Sequence, residues 1–260
     1  HGLACATRLS RFRPEEAVED ATHYAKKAMN RGSWEEGRYD LIASPTVAAD
    51  LIQQVGWVSS AFLVEAGLSF LTDKVGEMVS VEEFTLTDHG SIEGGLESRI
   101  FDDEGFPTSS TTIIEKGLLR GYLHNNTTAK KFGVKSTGNA GLIEPHPWNL
   151  VVDGGDLSLE EMIKTTRRGI LVTNNWYTRF QNIRAGEFST LPRDAAFLID
   201  GGKIRYAVSG LRISDSLPRV LRSITGLSRD RRWVKWWEVE VPTLSPWILV
   251  KDVSFTKAVG

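Results

Sequence analysis

Hydrophobic and polar residues follow a helical period in the first part of the chain. Residues 14–29 predict a helix, because Pro14 suits a first turn, acidic residues follow it and lysines stand near the end. Residues 39–44 predict a short strand. Apolar residues then recur at intervals of three and four from 46 to 66, which predicts a second, well-buried helix.

Beyond residue 78 the pattern changes to short β-like runs separated by Gly, Asn and Asp. The runs are VSVEEFTL, STTIIEKGLLRGYL, NLVV, GILVT, AAFLID, KIRYAV, VKWWEVEV and PWILVKDVSF. Asp200-Gly201-Gly202 is a strong hairpin signal, and Glu115-Lys116-Gly117 is a weaker one. Ser158 and Glu161 have capping-box spacing, which predicts one further, short helix. The chain therefore predicts a single α+β domain over 1–260 with a mainly antiparallel sheet.

Composition removes several classes of protein. The 31 basic and 33 acidic residues give a net charge of −2, which disfavours a dedicated nucleic-acid binder. No apolar stretch is long enough to cross a membrane. The single cysteine, Cys5, excludes an intrachain disulfide and a CxxC site, which fits a cytoplasmic protein. The chain begins at His1 without Met or a signal pattern, as expected of a fragment, a processed product or a tagged protein.

No catalytic motif stands out in the residues themselves. His1, His23, His89, His124 and His146 are too far apart for a helical HExxH pair, although a metal site assembled from distant residues stays open. There is no GxSxG elbow and no phosphate-binding glycine loop. Cys5 has no local partner, so it is interpreted as a small buried apolar group rather than a nucleophile.

Two segments allow a functional and a structural interpretation. Asp102-Asp103-Glu104-Gly105 could hold a hard cation, but it lacks the spaced ligands of an EF-hand, and a solvated turn is favoured. The segment at 229–237, RDRRWVKWW, has the composition of a platform for single-stranded nucleic acid. A strand is favoured there, with alternate residues on one face of a core or interface. Those residues are Trp233, Trp237, Val239 and Val241, with Lys235 as the exception.

Several runs taken together resemble the TldD/PmbA family, metalloprotease-like proteins once called modulators of DNA gyrase. The runs are SFLTDKVGE (69–77), the stretch 100–140, NLVVDGGDLSLEEMI (149–163), RGILVT (168–173), GEFS (186–189) and FLIDGGKIRYAV (197–208). The resemblance covers roughly residues 14–255. It implies the C-terminal domain of a family member, with a curved sheet and without the family's N-terminal domain. Asp102, Asp103, Glu104, Gly105, Gly138 and Asn139 are motif residues whose role the resemblance does not assign.

The resemblance also locates the position of the family's metal motif. Active TldD-type subunits carry HExxxH just before the run similar to SFLTDKVGE. Counted back without a gap, Ile52 and Trp57 stand where the two histidines would be, and Gln53 stands at the glutamate. Ile and Trp cannot bind zinc, and Gln cannot act as a general base. The active members' third ligand, a C-terminal cysteine, has no counterpart here. No residue of this chain is therefore predicted to be catalytic or to bind metal.

These replacements imply a TldE (PmbA-type) subunit with no cofactor of its own. Such a subunit would pair with a zinc-bearing TldD-type partner, or form a homodimer when isolated, and act on unfolded or small peptides. Trp57 is then expected to pack into the space of the missing metal site. Two alternatives stay open: a hydrolase with another nucleophile or a relocated metal, and a DNA- or gyrase-associated binding module.

Overall fold

The computed structural model describes residues 1–258 and has the α+β architecture predicted from the sequence. The helices are α1 (Pro14–Lys27), α2 (Pro45–Val58), α3 (Ala61–Glu65), α4 (Asn126–Phe132), α5 (Leu159–Thr165) and α6 (Leu217–Arg222). The strands are β1 (Gly37–Ala43), β2 (Leu86–His89), β3 (Ser110–Glu115), β4 (Leu118–Leu119), β5 (Leu150–Val152), β6 (Arg168–Asn182), β7 (Glu187–Asp200), β8 (Lys203–Val208), β9 (Leu211–Ser216), β10 (Ile224–Trp236) and β11 (Val239–Lys257).

All of these strands belong to one mixed, mainly antiparallel sheet. Its order is β1-β6-β7-β9-β11-β5-β2-β3-β4, with β8 paired to β7 and β10 to β11. Because β1 pairs with both β6 and β11, five of the strands close into a ring. The pairings that involve β1 with β6 and β5 with β11 are parallel. Such closure satisfies strand edges that would otherwise lie open.

Helix α2 packs against this sheet and forms the centre of the core. Eleven of its residues are buried, and its first turn is capped by the Ser44 hydroxyl, which accepts a hydrogen bond from the Val47 N–H. Gly56 lies against Leu150 of β5, so closely that a β-carbon would sit 2.6 Å from a Leu150 methyl group. The glycine that weakens the helix locally is thus what allows helix and sheet to approach.

The predicted helix over 46–66 is wrong in its second half. The helix ends at Val58, and a separate short helix begins at Ala61. Between them Ser59 and Ser60 leave the helix, because the Ala61 N–H and the Ser59 carbonyl are hydrogen-bonded to Leu123 instead. Tertiary pairing thus overrides a continuous apolar period.

The predicted strand over VKWWEVEV is also wrong. The chain reverses at Trp237 and Glu238, so that β10 ends at Trp236 and β11 begins at Val239. Trp233 and Trp237 therefore do not share a face with Val239, and the Trp237 side chain is 55% exposed. Both predicted hairpins are confirmed, since Asp200 pairs with Lys203 and Glu115 pairs with Leu118.

The helix predicted after Ser158 is confirmed together with both bonds of its capping box. The sequence patterns missed α4 and α6, whose runs are too short to show a period. In VSVEEFTL only Leu86 lies in a strand, because residues 79–85 form a loop with a turn at Glu82 and Glu83. Over residues 1–258, no helix is both long and apolar enough to cross a membrane.

Candidate functional site

A cavity of about 500 Å³ opens beside the second half of α2. Its other walls come from the end of β6, from the reversal between β10 and β11, and from the loop before β5. The lining residues are Gln53, Gln54, Trp57, His146, Thr178, Arg179, Phe180, Ile183, Trp237, Glu238, Glu240 and Val241. A cleft of this volume, with aromatic walls and a few polar groups, is typical of a ligand-binding site.

The two outer positions of the sequence-aligned metal motif point in different directions. Trp57 lines the cavity, whereas Ile52 is 3% exposed and belongs to the apolar core. Helix α2 is continuous from Pro45 to Val58, and residues five apart on a regular helix are about 140° apart. The structure therefore does not bring these two positions together. Gln53 and Gln54 share the cavity face with Trp57.

Gln53 is buried, and its side chain links α2 by hydrogen bonds to the chain reversal at Trp237–Glu238. Its amide NH₂ donates to a carboxylate oxygen of Asp50 at 2.9 Å and to the Glu238 carbonyl. Its amide oxygen accepts from the Glu240 N–H at 2.9 Å. Both ends of the amide are therefore used in holding the wall of the cavity. A glutamate at this position would lose the donor and would place a second carboxylate against Asp50.

Asp50 lies beneath the cavity wall at the centre of a buried polar network. Its second carboxylate oxygen accepts hydrogen bonds from the Asn175 amide and the Thr178 hydroxyl. Burial raises the pKa of Asp50 from 3.8 to about 6, although its hydrogen-bond donors act in the opposite direction. Since this carboxylate is 1% exposed and fully bonded, it stabilises the walls rather than reaching the cavity.

Glu238 is fixed by a strained residue within β6, at an irregularity in its pairing with β7. Tyr177 has a positive φ of 59°, and its N–H donates to the Glu238 carboxylate at 2.7 Å. The exposed Arg179 guanidinium lies 3.5 Å from the other oxygen of the same carboxylate. The Glu238 side chain is 4% exposed, so this pairing offsets much of the cost of burying its charge.

Trp57 is only partly buried, so the expectation that it fills the space of a metal site needs correction. One face of its ring packs on Phe180, with ring centroids 6.2 Å apart, and its indole N–H donates to Glu144 at 3.2 Å. The rest of the ring borders the cavity. The neighbouring Val58 is fully buried.

Because of that partial burial, Trp57→Ala is expected to lower the free energy of unfolding by about 2 kcal/mol, below the ~3–5 kcal/mol of a fully buried tryptophan. Trp57→Phe, which keeps the ring contact with Phe180, should cost less than about 1 kcal/mol. Urea titrations of the three proteins measure both values. A loss of about 4 kcal/mol for the alanine variant would mean that the ring is a core residue.

The motif residues Asp102 to Gly105 form a turn, as favoured from the sequence, but the turn is not wholly solvated, because Asp102 is buried. The Asp102 carboxylate accepts the N–H groups of Glu104 and Phe106 at 3.0 and 2.9 Å and that of Ala140 at 3.0 Å. Gly105 supplies the positive φ of 76° that the turn requires. All three partners of Asp102 are donors of the backbone, so the carboxylate fastens two loops together.

The other motif residues complete this junction. Asp103 is exposed and lies 3.4 Å from Arg99. The Glu104 carboxylate accepts from the first N–H of α4, at Asn126, at 2.9 Å. Gly138 has a φ of 72°, and a β-carbon there would sit 2.4 Å from the Pro107 carbonyl. These contacts assign a structural role to all four residues of the turn and to Gly138.

Asn139 leads from this junction to a second buried carboxylate, Asp88. Its amide donates to Asp88 at 2.6 Å and to the His146 carbonyl at 2.9 Å. The other Asp88 oxygen accepts the N–H groups of Trp148 and Asn149. Burial raises the pKa of Asp88 from 3.8 to about 7. Asp88 thereby shapes the loop that carries His146 to the cavity.

This buried carboxylate gives the chain a specific dependence of stability on pH. The folded-state pKa of Asp88 is raised, so its contribution to stability is complete below pH 4 and is lost as the pH rises to about 7. Relative to Asp88→Asn, the natural chain should lose at most about 4 kcal/mol over that interval. The measurement is a series of chemical unfolding curves at pH 4 to 8. A difference between the two chains that stays constant with pH would contradict the assignment; Asp103→Asn serves as the exposed control.

Cys5 and the basic segment have structural partners. Burial raises the pKa of the Cys5 thiol, which makes it a poor nucleophile.

In the segment 229–237, Arg232 forms an ion pair with Asp20, and Lys235 forms one with Glu97. Arg229 lies 3.6 Å from Glu161. The segment is therefore strand β10 as far as Trp236, with ion pairs to acidic residues elsewhere in the chain, but the predicted alternation from Trp233 to Val241 on one face is wrong.

The sequence patterns missed Asp50, Asp88, Glu238 and His146. Two of these had a readable signal. Asp50 stands next to Leu51 within an almost wholly apolar helix, and Asp88 follows Leu86 by two residues, which places both on the inner face of one strand. Glu238 and His146 had no such signal, because a chain reversal and a loop bring them to the cavity.

The residues around the cavity do not fit a zinc ion. Gln53 is fully hydrogen-bonded, Trp57 has no ligand atom, and His146 is the one imidazole among the lining residues within 1–258. Across the same residues, no three His, Cys, Asp or Glu side chains are grouped as metal ligands would be.

A family model and several curated proteins match the sequence of this chain. A family model described as the PmbA/TldA metallopeptidase C-terminal domain matches residues 36–257. A metalloprotease of Methanocaldococcus jannaschii is 30% identical over 242 residues, which are 86% of this chain and 52% of that protein. Metalloprotease PmbA of Escherichia coli O157:H7 is 35% identical over 165 residues, or 62% of this chain and 34% of that protein.

Two solved structures have a fold similar to that of this chain. A Thermotoga maritima protein described as a candidate modulator of a DNA gyrase superposes with a TM-score of 0.87 at 30% identity, covering 96% of this chain and 57% of its own. TldE of Thermococcus kodakarensis superposes with a TM-score of 0.82 at 26% identity, covering 93% and 55%. The chain spans about half the length of the curated relatives it matches.

Proposed function

The chain belongs to the PmbA/TldD metallopeptidase family, and we propose that it serves there as a zinc-free, TldE-like subunit. Its partner would be a zinc-bearing TldD-type subunit, and the pair would cleave unfolded or small peptides. One observation carries the proposal: the face that α2 turns to the cavity consists of Gln53, Gln54 and Trp57. None of these side chains can bind zinc and activate a water molecule as the family's HExxxH motif does. The likeness to TldE of Thermococcus kodakarensis supports the same subtype.

The geometry gives little support to a hydrolase with another nucleophile. Thr178 lines the cavity and its hydroxyl contacts the Asp50 carboxylate, which is a superficial likeness to an activated nucleophile. That hydroxyl is also bonded to Thr190 at 2.7 Å, and Thr178 is 4% exposed. A nucleophile has to reach its substrate, whereas this hydroxyl is held within the network.

A surface suited to a partner subunit lies next to the cavity. Ile100, Phe101, Phe106, Leu142 and Ile143 are all exposed, from 39% for Phe106 to 93% for Leu142. We call these residues the apolar patch; two of its three segments border one shallow groove. Exposed apolar patches of this kind mark interaction sites. The patch is built on the two loops that Asp102 fastens together, and the second loop continues to Glu144 and His146 at the cavity.

The same patch would also join two copies of this chain in the homodimer that we propose for the isolated chain. A role in binding DNA has weaker support. The net charge is −2, and the arginines and lysine of 229–237 named above are paired with acidic residues.

The proposal is tested by a peptide-cleavage assay on this chain, on a TldD-type subunit with an intact HExxxH motif, and on their mixture. This chain alone should be inactive, and the mixture should cleave unfolded peptides until a zinc chelator is added. The zinc would supply Lewis-acid activation of water in the partner. This chain would contribute a wall of the peptide-binding chamber.

Leu142→Asp in the apolar patch tests whether this patch is the surface that binds the partner. Leu142 is almost fully exposed, so this variant should fold normally and yet fail to activate the partner. Cleavage by the isolated chain that resists chelation and is abolished by Thr178→Ala would contradict the proposal and establish the hydrolase alternative.

A further inference from the structure

Negatively charged side chains outnumber positively charged ones on the cavity wall. Glu238 and Glu240 line the cavity with a single cation, Arg179. Burial lowers the pKa of His146, which disfavours a positive charge on its imidazole. A cavity with an excess of carboxylates and with low-dielectric walls concentrates a negative potential.

Two of the carboxylates near the cavity have no cation of their own. Arg179 pairs with Glu238, and Lys235 pairs with Glu97; the Lys235 ammonium also donates to the backbone carbonyl of Glu240 at 3.3 Å, not to its carboxylate. In the described part of the chain, neither Glu144 nor Glu240 forms an ion pair. One oxygen of Glu144 accepts the Trp57 indole N–H, which places this carboxylate at the edge of the aromatic wall.

The aromatic wall is an independent feature of the same cavity. Trp57 and Phe180 stand beside each other with ring planes 32° apart, and Trp237 lines the cavity from the chain reversal. The faces of aromatic rings attract ammonium and guanidinium groups, most strongly where water is partly excluded. Aromatic faces next to free carboxylates suit a ligand that is cationic at its tip and apolar along its stem.

We infer that this cavity binds a lysine or arginine side chain of a peptide, with Trp57 and Phe180 against its stem and Glu144 and Glu240 near its charge. The inference rests on the proposed function, from which the peptide follows, and adds the class of residue that the zinc-free subunit selects. A free polyamine carries the same chemistry, so the test includes one.

The test is isothermal titration calorimetry of this chain with short capped alanine peptides whose central residue is lysine, norleucine or glutamate. Norleucine keeps the stem of lysine and removes the charge. The lysine peptide should bind about tenfold more tightly than the norleucine peptide, and the preference should weaken as ionic strength rises. The glutamate peptide should bind most weakly.

Variants assign the effect to the cavity. The double variant Glu144→Gln and Glu240→Gln should lose most of the lysine preference, and Trp57→Leu should weaken the binding of the lysine and norleucine peptides alike. Glu82→Gln, at an exposed glutamate that does not line the cavity, is the control and should change nothing. Equal affinity for lysine and norleucine peptides, or a preference that survives the double variant, would overturn the inference.

Three further outcomes separate the causes of failure. Spermidine that binds as tightly as the lysine peptide and competes with it would overturn the assignment to a peptide. The titration needs no partner subunit. Peptide cleavage by the mixed subunits without lysine preference in the titration would therefore overturn the inference alone. Lysine preference with an inert mixture would overturn the proposed function alone.

Discussion

Asp102→Ala is expected to lower the free energy of unfolding by about 3–5 kcal/mol. The Asp102 side chain is 2% exposed and accepts three backbone N–H groups, two from its own turn and one from Ala140 in the loop after α4. Alanine would leave the buried Ala140 N–H without a partner and would weaken the connection between the two loops, which would then depend on the backbone hydrogen bond from the Asp103 N–H to the Ala140 carbonyl. Thermal and urea unfolding measure the loss, and limited proteolysis should show new cleavage near Leu142.

Asp103→Ala is the matched control, because Asp103 is its exposed neighbour and makes only a surface ion pair with Arg99. It should change stability by no more than about 0.5 kcal/mol. Asp102→Asn, which keeps one acceptor oxygen for Glu104 and Phe106, should recover part of the loss. Equal stability of the Asp102→Ala and Asp103→Ala variants would show that the turn does not depend on this carboxylate.

The triple change Ile52→His, Gln53→Glu and Trp57→His is expected to give no zinc site and a severely destabilised protein. Ile52→His alone should cost about 3–5 kcal/mol, because a polar imidazole would replace an apolar side chain in the core. Gln53→Glu removes the hydrogen bond donated to Asp50 and sets two carboxylates against each other. The two new histidines would lie on different faces of α2, since the helix is regular.

Ile52→Val is the control for this change, and it should cost only about 1 kcal/mol. Unfolding curves give the stabilities, and zinc titration gives the metal affinity of any variant that folds. A folded triple variant that binds zinc tightly would contradict the placement of Ile52 in the core and the shape assigned to α2.

Local patterns in the sequence predicted the elements whose signals are contained in a few neighbouring residues. The hairpin at Asp200-Gly201-Gly202 and the capping box of Ser158 and Glu161 depend on local backbone chemistry, and both are confirmed. The break at Ser59–Ser60 depends on Leu123, which lies more than sixty residues away. No period within residues 46–66 could reveal that contact.

The candidate site was predictable only where α2 supplies it. Gln53 and Trp57 were identified through the family motif, and the structure places both at the cavity. The partners that define the chemistry come from elsewhere in the chain: Glu238 from a reversal, Thr178 from the end of β6, and His146 from a loop pinned through Asn139. Their approach is set by strand register, which residue spacing does not encode.

For the motif residues, the sequence identified the positions but not what the side chains do. Asp102 and Asn139 were recognisable from the resemblance, but their roles were not, because each acts through a partner far away in the sequence: the Ala140 N–H for Asp102 and the Asp88 carboxylate for Asn139. An acidic string suggests a cation site only while its oxygens are free. Here the Asp102 oxygens are bonded to N–H groups, so the turn is a fastening between loops.

The most direct test of a zinc-free subunit is the zinc content of the two subunits after separate purification and mild chelation, measured by inductively coupled plasma mass spectrometry. The account predicts stoichiometric zinc in the TldD-type subunit and none retained by this chain. Zinc retained by this chain in stoichiometric amount, and lost when His146 or Glu238 is substituted, would contradict it.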